Sequence, residues 1–415
     1  MKIGVWHNLP SGGGKRALFH QVKGLRDRGH TVSAWCPPTA DQTHLPLSEL
    51  VEERVLPLKE SESHLGVFSS SLGHHVKTSR MLRNMRDHCS TCVDEMVARE
   101  IDLVFVAPCR LFRTSPIGRL FPGKSLLYLQ EPHRRLFEFP QVWLTGSGGG
   151  AAGSIARAAK RIIGDYFTWQ ATRRTINAEI QNAAGFDCIL VNSMFSREAV
   201  LRAYGIESEV CYLGVDAEFW HPSSPKPENY IVGMGNVDLN KGLDRAIKAV
   251  GAVQAEIRPP LKWIGNYCDP QVAKQAEKLA RSLGVRVEFL IEINDDRVRE
   301  TLSAAQLMLI TSRLEPFGLA PLEACACGTP VVAIAEGGVR ESMLDGITGF
   351  VVPTSDAEIL AGKMSILISD PITRDRLSES CRKYARERWT WSASIEKLET
   401  ILFRKSGSPK EESVG

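Results

Sequence analysis

The sequence predicts an α/β protein made of two doubly wound, parallel-sheet domains. Three observations carry this. A chain of 415 residues exceeds one ordinary hydrophobic core. Short apolar runs alternate with helical stripes through both halves, the pattern of strand–helix–strand crossovers. At residues 222–227 (PSSPKP) periodicity is lost in a proline-rich junction, and the alternation then restarts. The expected domains are 1–220 and 221–390.

Composition, at 43% apolar and 24% charged residues, is that of a globular protein. No apolar run approaches the roughly 18 residues of a membrane span. The opening MKIGVWHNLP reads as a first strand, not a secretion signal. Ten cysteines lie scattered through strand- and helix-like segments, which favours a reducing cytoplasm. Cys89 and Cys92 have CxxC spacing, but no second pair or histidine cluster completes a zinc site, so no metal is expected. Net charge is only +3, yet residues 110–174 hold eleven Lys/Arg against Glu131, Glu138 and Asp165. Such a block favours an anionic partner. A nucleic acid is not the expected one.

In order, residues 2–6 form a strand, Gly12-Gly13-Gly14-Lys15 a glycine-rich turn, and 16–28 a helix with a stripe at Ala17, Leu18, Val22 and Leu25. The turn is not GxGxxG, and no acidic residue follows the second strand (31–35) as a dinucleotide site requires. Residues 60–80, with His64, His74 and His75 at no metal spacing, read as a mobile surface loop. Further strands are expected at 103–107, 125–129 and 187–192. Gln130-Glu131-Pro132-His133 follows a strand's C-terminal end, where open α/β sheets place ligands. Residues 141–154 are a glycine-rich connector, and 155–182 read as one long helix or two short ones. Its basic amphipathic pattern fits an anionic membrane surface, or equally a solvated basic face with the apolar side packed inward.

The second half gives strands at 230–234, 261–265, 285–290, 307–311 and 330–335, with helices at 242–255, 270–283 and 295–304 between them. Helices at 358–368 and 372–388 follow. The most informative stretch runs from Glu315 to Glu323. Glu315 lies in the loop before a helix expected at 316–327, and Glu323 two turns on. Gly328 and Pro330 end that helix. Amides around Pro316, Phe317, Gly318 and Leu319 form an anion site, because a helix start has unpaired donors and the positive end of the dipole. A carboxylate on each side of an anion-binding turn suits a ligand with phosphate in the middle and hydroxyls at both ends. A nucleotide-sugar has that shape.

The same segment resembles the E-x7-E signature of the retaining GT-B glycosyltransferases of the fourth sequence family. Glu315, Phe317-Gly318, Glu323-Ala324, Gly328-Thr329-Pro330-Val331-Val332, Gly337-Gly338, Glu341, Asp345-Gly346 and Gly349 all fall where that pattern expects them. The resemblance is strongest from about 185 to 355. It implies two Rossmann-like domains facing across a cleft, and a helix at 391–405 crossing back to the first domain. Residues 406–415 are expected to be disordered. Relatives usually carry an arginine and a Lys-Gly pair on the donor pyrophosphate; here Lys241-Gly242 match, but Asn236 replaces the arginine, with Lys15, Arg297 and Arg313 as candidate substitutes. Many also carry a histidine where this chain has Gln130, which can hydrogen-bond a sugar hydroxyl but not take a proton. His133 is the alternative.

The expected activity is transfer of a hexosyl group from a nucleotide diphosphate donor to an acceptor hydroxyl, with retention, in glycan, polysaccharide or glycolipid biosynthesis. Glu315, Gln130, His133 and Lys241 are the catalytic candidates. The donor is assigned to Gly12, Gly13, Gly14, Lys15, Asn236, Lys241, Pro316, Phe317, Gly318, Leu319 and Glu323. No DxD occurs, so neither metal nor other cofactor is expected. The acceptor is a glycan or a lipid-linked sugar, and location is cytoplasmic or peripheral at the inner membrane face, through residues 155–182. An epimerase, a phosphorylase or a non-catalytic nucleotide-sugar binder on the same frame are the alternatives.

Overall fold

A computed structural model describes residues 1–59, 71–138, 155–223, 226–238 and 241–406. The loop at 60–70, the connector at 141–154, part of the 222–227 junction and the tail from 407 lie outside the described residues. The chain divides into two compact units. One comprises Met1–Val191, Arg197–Val210 and Leu398–Gly415; the other comprises Asn192–Ser196 and Cys211–Lys397.

The first unit runs β1 (Lys2–Asn8), α1 (Gly13–Asp27), β2 (Thr31–Cys36), β3 (Glu52–Val55), α2 (Ser71–Ala98) and β4 (Leu103–Cys109). It continues with α3 (Ile117–Leu120), β5 (Lys124–Tyr128), α4 (Arg134–Phe137), α5 (Ile155–Ala183), β6 (Cys188–Val191), α6 (Met194–Tyr204) and β7 (Glu209–Val210). Its parallel strands are ordered β3-β2-β1-β4-β5-β6-β7. Central β4 is buried along its whole length, as a parallel strand covered on both faces must be. The strand at 52–55 escapes sequence reading because its residues are Glu-Glu-Arg-Val. It is an edge strand, where charges are tolerated and guard the unpaired side. Helix α2 begins at Ser71, so the loop expected to run to residue 80 ends at least ten residues earlier. Met85, Cys89, Cys92 and Met96 recur at three- and four-residue spacing and fix its buried side.

The second unit runs β8 (Ile231–Met234), α7 (Leu243–Ala252), β9 (Leu261–Gly265), α8 (Pro270–Ser282), β10 (Val287–Ile291), α9 (Asp295–Ser303) and β11 (Leu307–Ile310). After these come α10 (Leu319–Ala326), β12 (Val331–Ile334), α11 (Val339–Ser342), β13 (Gly349–Val352), α12 (Ala357–Ser369), α13 (Pro371–Arg388) and α14 (Trp391–Ser406). By residue, α14 starts in the second unit and ends in the first. The sheet order is β10-β9-β8-β11-β12-β13, again parallel. Helix starts are written locally: Asp269, Asp356 and Asp370 each accept hydrogen bonds from two amides of the helix they precede. Trp263, Ile247, Leu309, Val332 and Leu360 belong to the core around this sheet.

Candidate functional site

The turn between β11 and α10 is held by its carbonyls. Gly338 N donates to Glu315 O at 2.7 Å, Ser193 Oγ to Pro316 O at 2.5 Å, and Ser342 Oγ to Phe317 O at 2.9 Å. A Cβ on Gly338 would stand 2.2 Å from Pro316 O, so only glycine admits this approach. The helix starts at Leu319, three residues later than expected, because Gly318 takes a left-handed φ of 104° and the residues before it form a separate turn. Phe317 is buried against Tyr212 and Trp389, leaving its backbone rather than its ring to meet a ligand. Among the described residues, the amides of Phe317, Gly318 and Leu319 meet no hydrogen-bond acceptor. They stand at the positive end of a helix dipole, an arrangement that favours an anion.

Lys241 and Glu315 come together. Lys241 Nζ donates to Glu315 Oε2 at 2.8 Å, with both side chains partly open to solvent. The approach depends on Gly235, whose Cβ would lie 2.6 Å from Lys241 Cγ, and on Gly242, which turns the chain at φ 69° into α7. Thr311 Oγ1 binds Gly242 O at 2.8 Å and ties that turn to the end of β11. Asn236 sits in the turn after β8, its carbonyl accepting from Asp238 N at 2.8 Å. Glu323 lies on α10, only 2% exposed. Two of the cations expected to replace the missing arginine are engaged elsewhere: Arg313 binds Asp244 through two bonds at 3.1 and 3.0 Å, and Arg297 binds Glu300 at 2.9 Å. Sequence reasoning found Glu341 only as a matched position and missed the other supports. Ser193 and Ser342 grip the turn, and Glu341 accepts from Met194 N, Phe195 N and Tyr212 Oη at 2.8–2.9 Å. These residues are distant in sequence, so no local spacing announces them.

In the first unit, Gly12 begins α1 at φ 126°, and a Cβ on Gly14 would meet the Gln130 amide at 3.3–3.4 Å. Gly13, Gly14 and Lys15, expected in a turn ahead of a helix at 16–28, instead make the first turn of α1, and Gly14 neighbours Gln130. Lys15 departs from its expected place in an open phosphate loop. It is fully buried beside His7, Cys36 and Glu53, which come from the ends of β1 and β2 and from β3. His7 Nε2 and Glu53 Oε1 are 2.8 Å apart. Burial holds His7 and Lys15 below their ordinary values and pushes the Cys36 thiol up to about 12. Burial also opposes ionisation of Glu53, but the His7 hydrogen bond and the charges of His7 and Lys15 outweigh it and keep its carboxyl low. His7, Cys36 and Glu53 could together ligate a cation, a grouping invisible in the sequence because three strands supply it. The Lys15 ammonium already places positive charge there.

His133 is half-buried, and burial with the nearby Arg113 keeps its imidazole below the usual histidine value, hence neutral at pH 7. Its amide donates to Tyr204 Oη at 3.4 Å, and Tyr204 donates to Glu179 Oε2 at 3.3 Å. Glu179, buried on α5, also accepts from Arg113 N at 2.8 Å and Thr114 N at 3.1 Å, while burial raises its carboxyl. Glu131 is held by Arg113 at 2.9 Å and Arg134 at 2.8 Å. The Gln130–His133 turn is therefore anchored from three elements. Tyr204→Phe is expected to destabilise the protein by about 1–2 kcal/mol, read from urea unfolding; an unchanged midpoint would show that the anchor carries no weight.

Comparison with known proteins bears on the fold and the family. The profile of the family described as glycosyl transferases group 1 matches residues 215–388. A D-inositol 3-phosphate glycosyltransferase of Xylanimonas cellulosilytica is 28% identical over 60% of this chain and 67% of its own length. An alpha-maltose-1-phosphate synthase of Mycolicibacterium smegmatis is 26% identical over 53% of this chain and 63% of its own. The matches thus span about two thirds of these relatives' length. Among solved structures, Anabaena HepE in complex with UDP superposes with TM-score 0.66 and 18% identity, covering 97% of this chain and all of that one. Sucrose-phosphate synthase from Thermosynechococcus elongatus gives TM-score 0.68 and 18% identity, with 97% and 98% covered. These structural likenesses establish the GT-B fold. The part of the chain similar to the glycosyl transferases group 1 family, residues 215–388, holds Lys241, Glu315, Glu323 and the amide turn between them.

Proposed function

We propose that this protein transfers a hexosyl group from a nucleotide diphosphate donor to an acceptor hydroxyl with retained configuration. The observation that carries the reading is the contact of Lys241 with Glu315 beside the open amides of 317–319. Departure of a nucleoside diphosphate builds negative charge on the outer phosphate. Preorganised cations and amides stabilise that charge most where they need not reorganise. Lys241 and the 317–319 amides take the diphosphate, Glu315 the sugar hydroxyls and Glu323 the ribose hydroxyls. Gln130 offers a hydrogen bond to a sugar hydroxyl, and neutral His133 a proton acceptor beside it.

The first test is a thermal-shift screen with UDP-, GDP-, dTDP- and ADP-sugars, followed by mass spectrometry of products. Stabilisation by one donor class with turnover is expected. Binding without product would favour a non-catalytic binder, and phosphate-dependent turnover a phosphorylase. Transfer is proposed to be metal-independent, so chelation should leave the rate unchanged. A loss restored by Mg²⁺ or Mn²⁺ would overturn this. The acceptor is proposed to be a glycan, lipid-linked or otherwise anionic, with α5 near an anionic membrane surface at the inner, cytoplasmic face. Exposed Tyr166, Trp169, Arg173 and Arg174 on that helix support it.

A further inference from the structure

The carboxyl of Glu179 lies at the centre of a buried network beneath the Gln130–His133 turn. Its side chain, on the last turns of α5, is fully buried. It accepts from Arg113 N at 2.8 Å, Thr114 N at 3.1 Å and Tyr204 Oη at 3.3 Å. Two of these are backbone N–H groups, which can only donate, so the carboxylate form fits the network even though burial opposes it. Asn182, one turn on, donates through Nδ2 to Thr114 O at 3.2 Å, and α5 thus grips the loop after β4 at two positions. A second arm leaves through Tyr204, whose hydroxyl accepts from His133 N at 3.4 Å. Tyr204 is itself buried and packs edge-on against Phe137, with ring centres 5.1 Å apart. Arg113 Nη2 closes the circuit, donating at 2.9 Å to Glu131, two residues before His133. One buried acid therefore ties together the loops after β4 and β5, at the strand ends where open parallel sheets place ligands. A carboxylate is a costly filling for a buried position. What it supplies and an apolar side chain cannot is direction, since a single acceptor orients three donors.

We propose that Glu179 is a positioning residue for sugar transfer, acting through Tyr204 to hold the His133 imidazole where the acceptor hydroxyl gives up its proton. This rests on the reading of His133 as the proton acceptor, and Glu179 itself touches no substrate. In Glu179→Gln, the nitrogen that replaces one oxygen can only donate. It stands against a backbone N–H or against the Tyr204 hydroxyl, and the arm to His133 is lost. The charges around the His133 ring are Arg113 from the loop after β4, and Glu131 and Arg135 from its own turn, with Tyr204 at its amide. Burial and Arg113 keep the ring low. Release of the turn admits water, so the ring should titrate closer to the ordinary histidine value.

The test follows the His133 ring by NMR titration of the full chain without substrate, its signal assigned by loss in His133→Gln. Glu179→Gln and Tyr204→Phe should both move the midpoint upward. Asn182→Ser, which loosens only the loop after β4, should leave it in place. In turnover, the first two should lower kcat about 10-fold with the donor KM unchanged. The acidic limb of their pH–rate profile should move to higher pH, because the base must be neutral to act. Melting by circular dichroism checks each fold. If Glu179→Gln does not fold, Tyr204→Phe decides, since it removes a single hydroxyl. An unmoved midpoint in a folded variant would overturn the proposal. So would an equal shift in Asn182→Ser, the mark of an anchor that serves stability alone. Normal turnover with unmoved midpoints leaves sugar transfer standing without this role for Glu179. Moved midpoints in a chain that turns over no donor leave Glu179 holding the ring and remove sugar transfer.

Discussion

Lys241→Ala should lower kcat/KM for the nucleotide-sugar by about 10²–10³-fold. Asn236 stands where an arginine would add a second charge, and Arg313 and Arg297 are held by Asp244 and Glu300. Lys241 is therefore the cation on which the proposed site relies. Its removal also takes from Glu315 the ammonium 2.8 Å away. The loss should fall mainly on kcat. Lys241→Arg should recover part of it, since charge is kept but the planar fork cannot reproduce a point contact. The measurement is the initial rate of nucleoside diphosphate release. Full turnover by Lys241→Ala would end the site assignment.

Glu323→Ala should cost a similar factor, about 10²–10³ in kcat/KM, but mostly through KM. A carboxylate holding the ribose binds ground state and transition state alike. Glu323 is 2% exposed on a helix whose neighbours Leu322 and Ala324 are fully buried, so alanine also risks a packing defect. Glu323→Gln keeps the volume and separates the two effects. A 2′-deoxyribose donor gives a second reading: it should be a poor substrate for the wild type and no worse than the normal donor for the variant. If both enzymes discriminate equally, Glu323 does not touch the ribose.

The two-sheet frame was legible because buried parallel strands such as LVFVAPC and VVAI write themselves as apolar runs, and because aspartates and prolines mark where helices begin. Edge strand β3 was not, since Glu52, Glu53 and Arg54 belong to a position where side chains meet solvent or a buried cluster rather than a core. At the site, Glu315, Lys241 and the glycines could be found from their order along the chain. The burial of Lys15 could not: GGGK looks the same in an open loop and in the first turn of a helix whose lysine is buried near Glu53. Nor could the pairing of Arg313 with Asp244, which depends on how two crossovers align across β8 and β11.

The last helix has a consequence for biogenesis. Leu398–Ser406 belongs with the first sheet, where Glu399 meets Arg28 and His30 and Arg404 meets Glu209. A ribosome therefore finishes every strand of the amino-terminal unit well before it delivers the segment that completes it. Domain-by-domain maturation during synthesis, the usual course for long chains, would leave an unclosed apolar flank around the Ile401 and Leu402 seats until residues 398–406 have emerged. Nascent chains of this protein should accordingly lean on chaperones until that helix has been made.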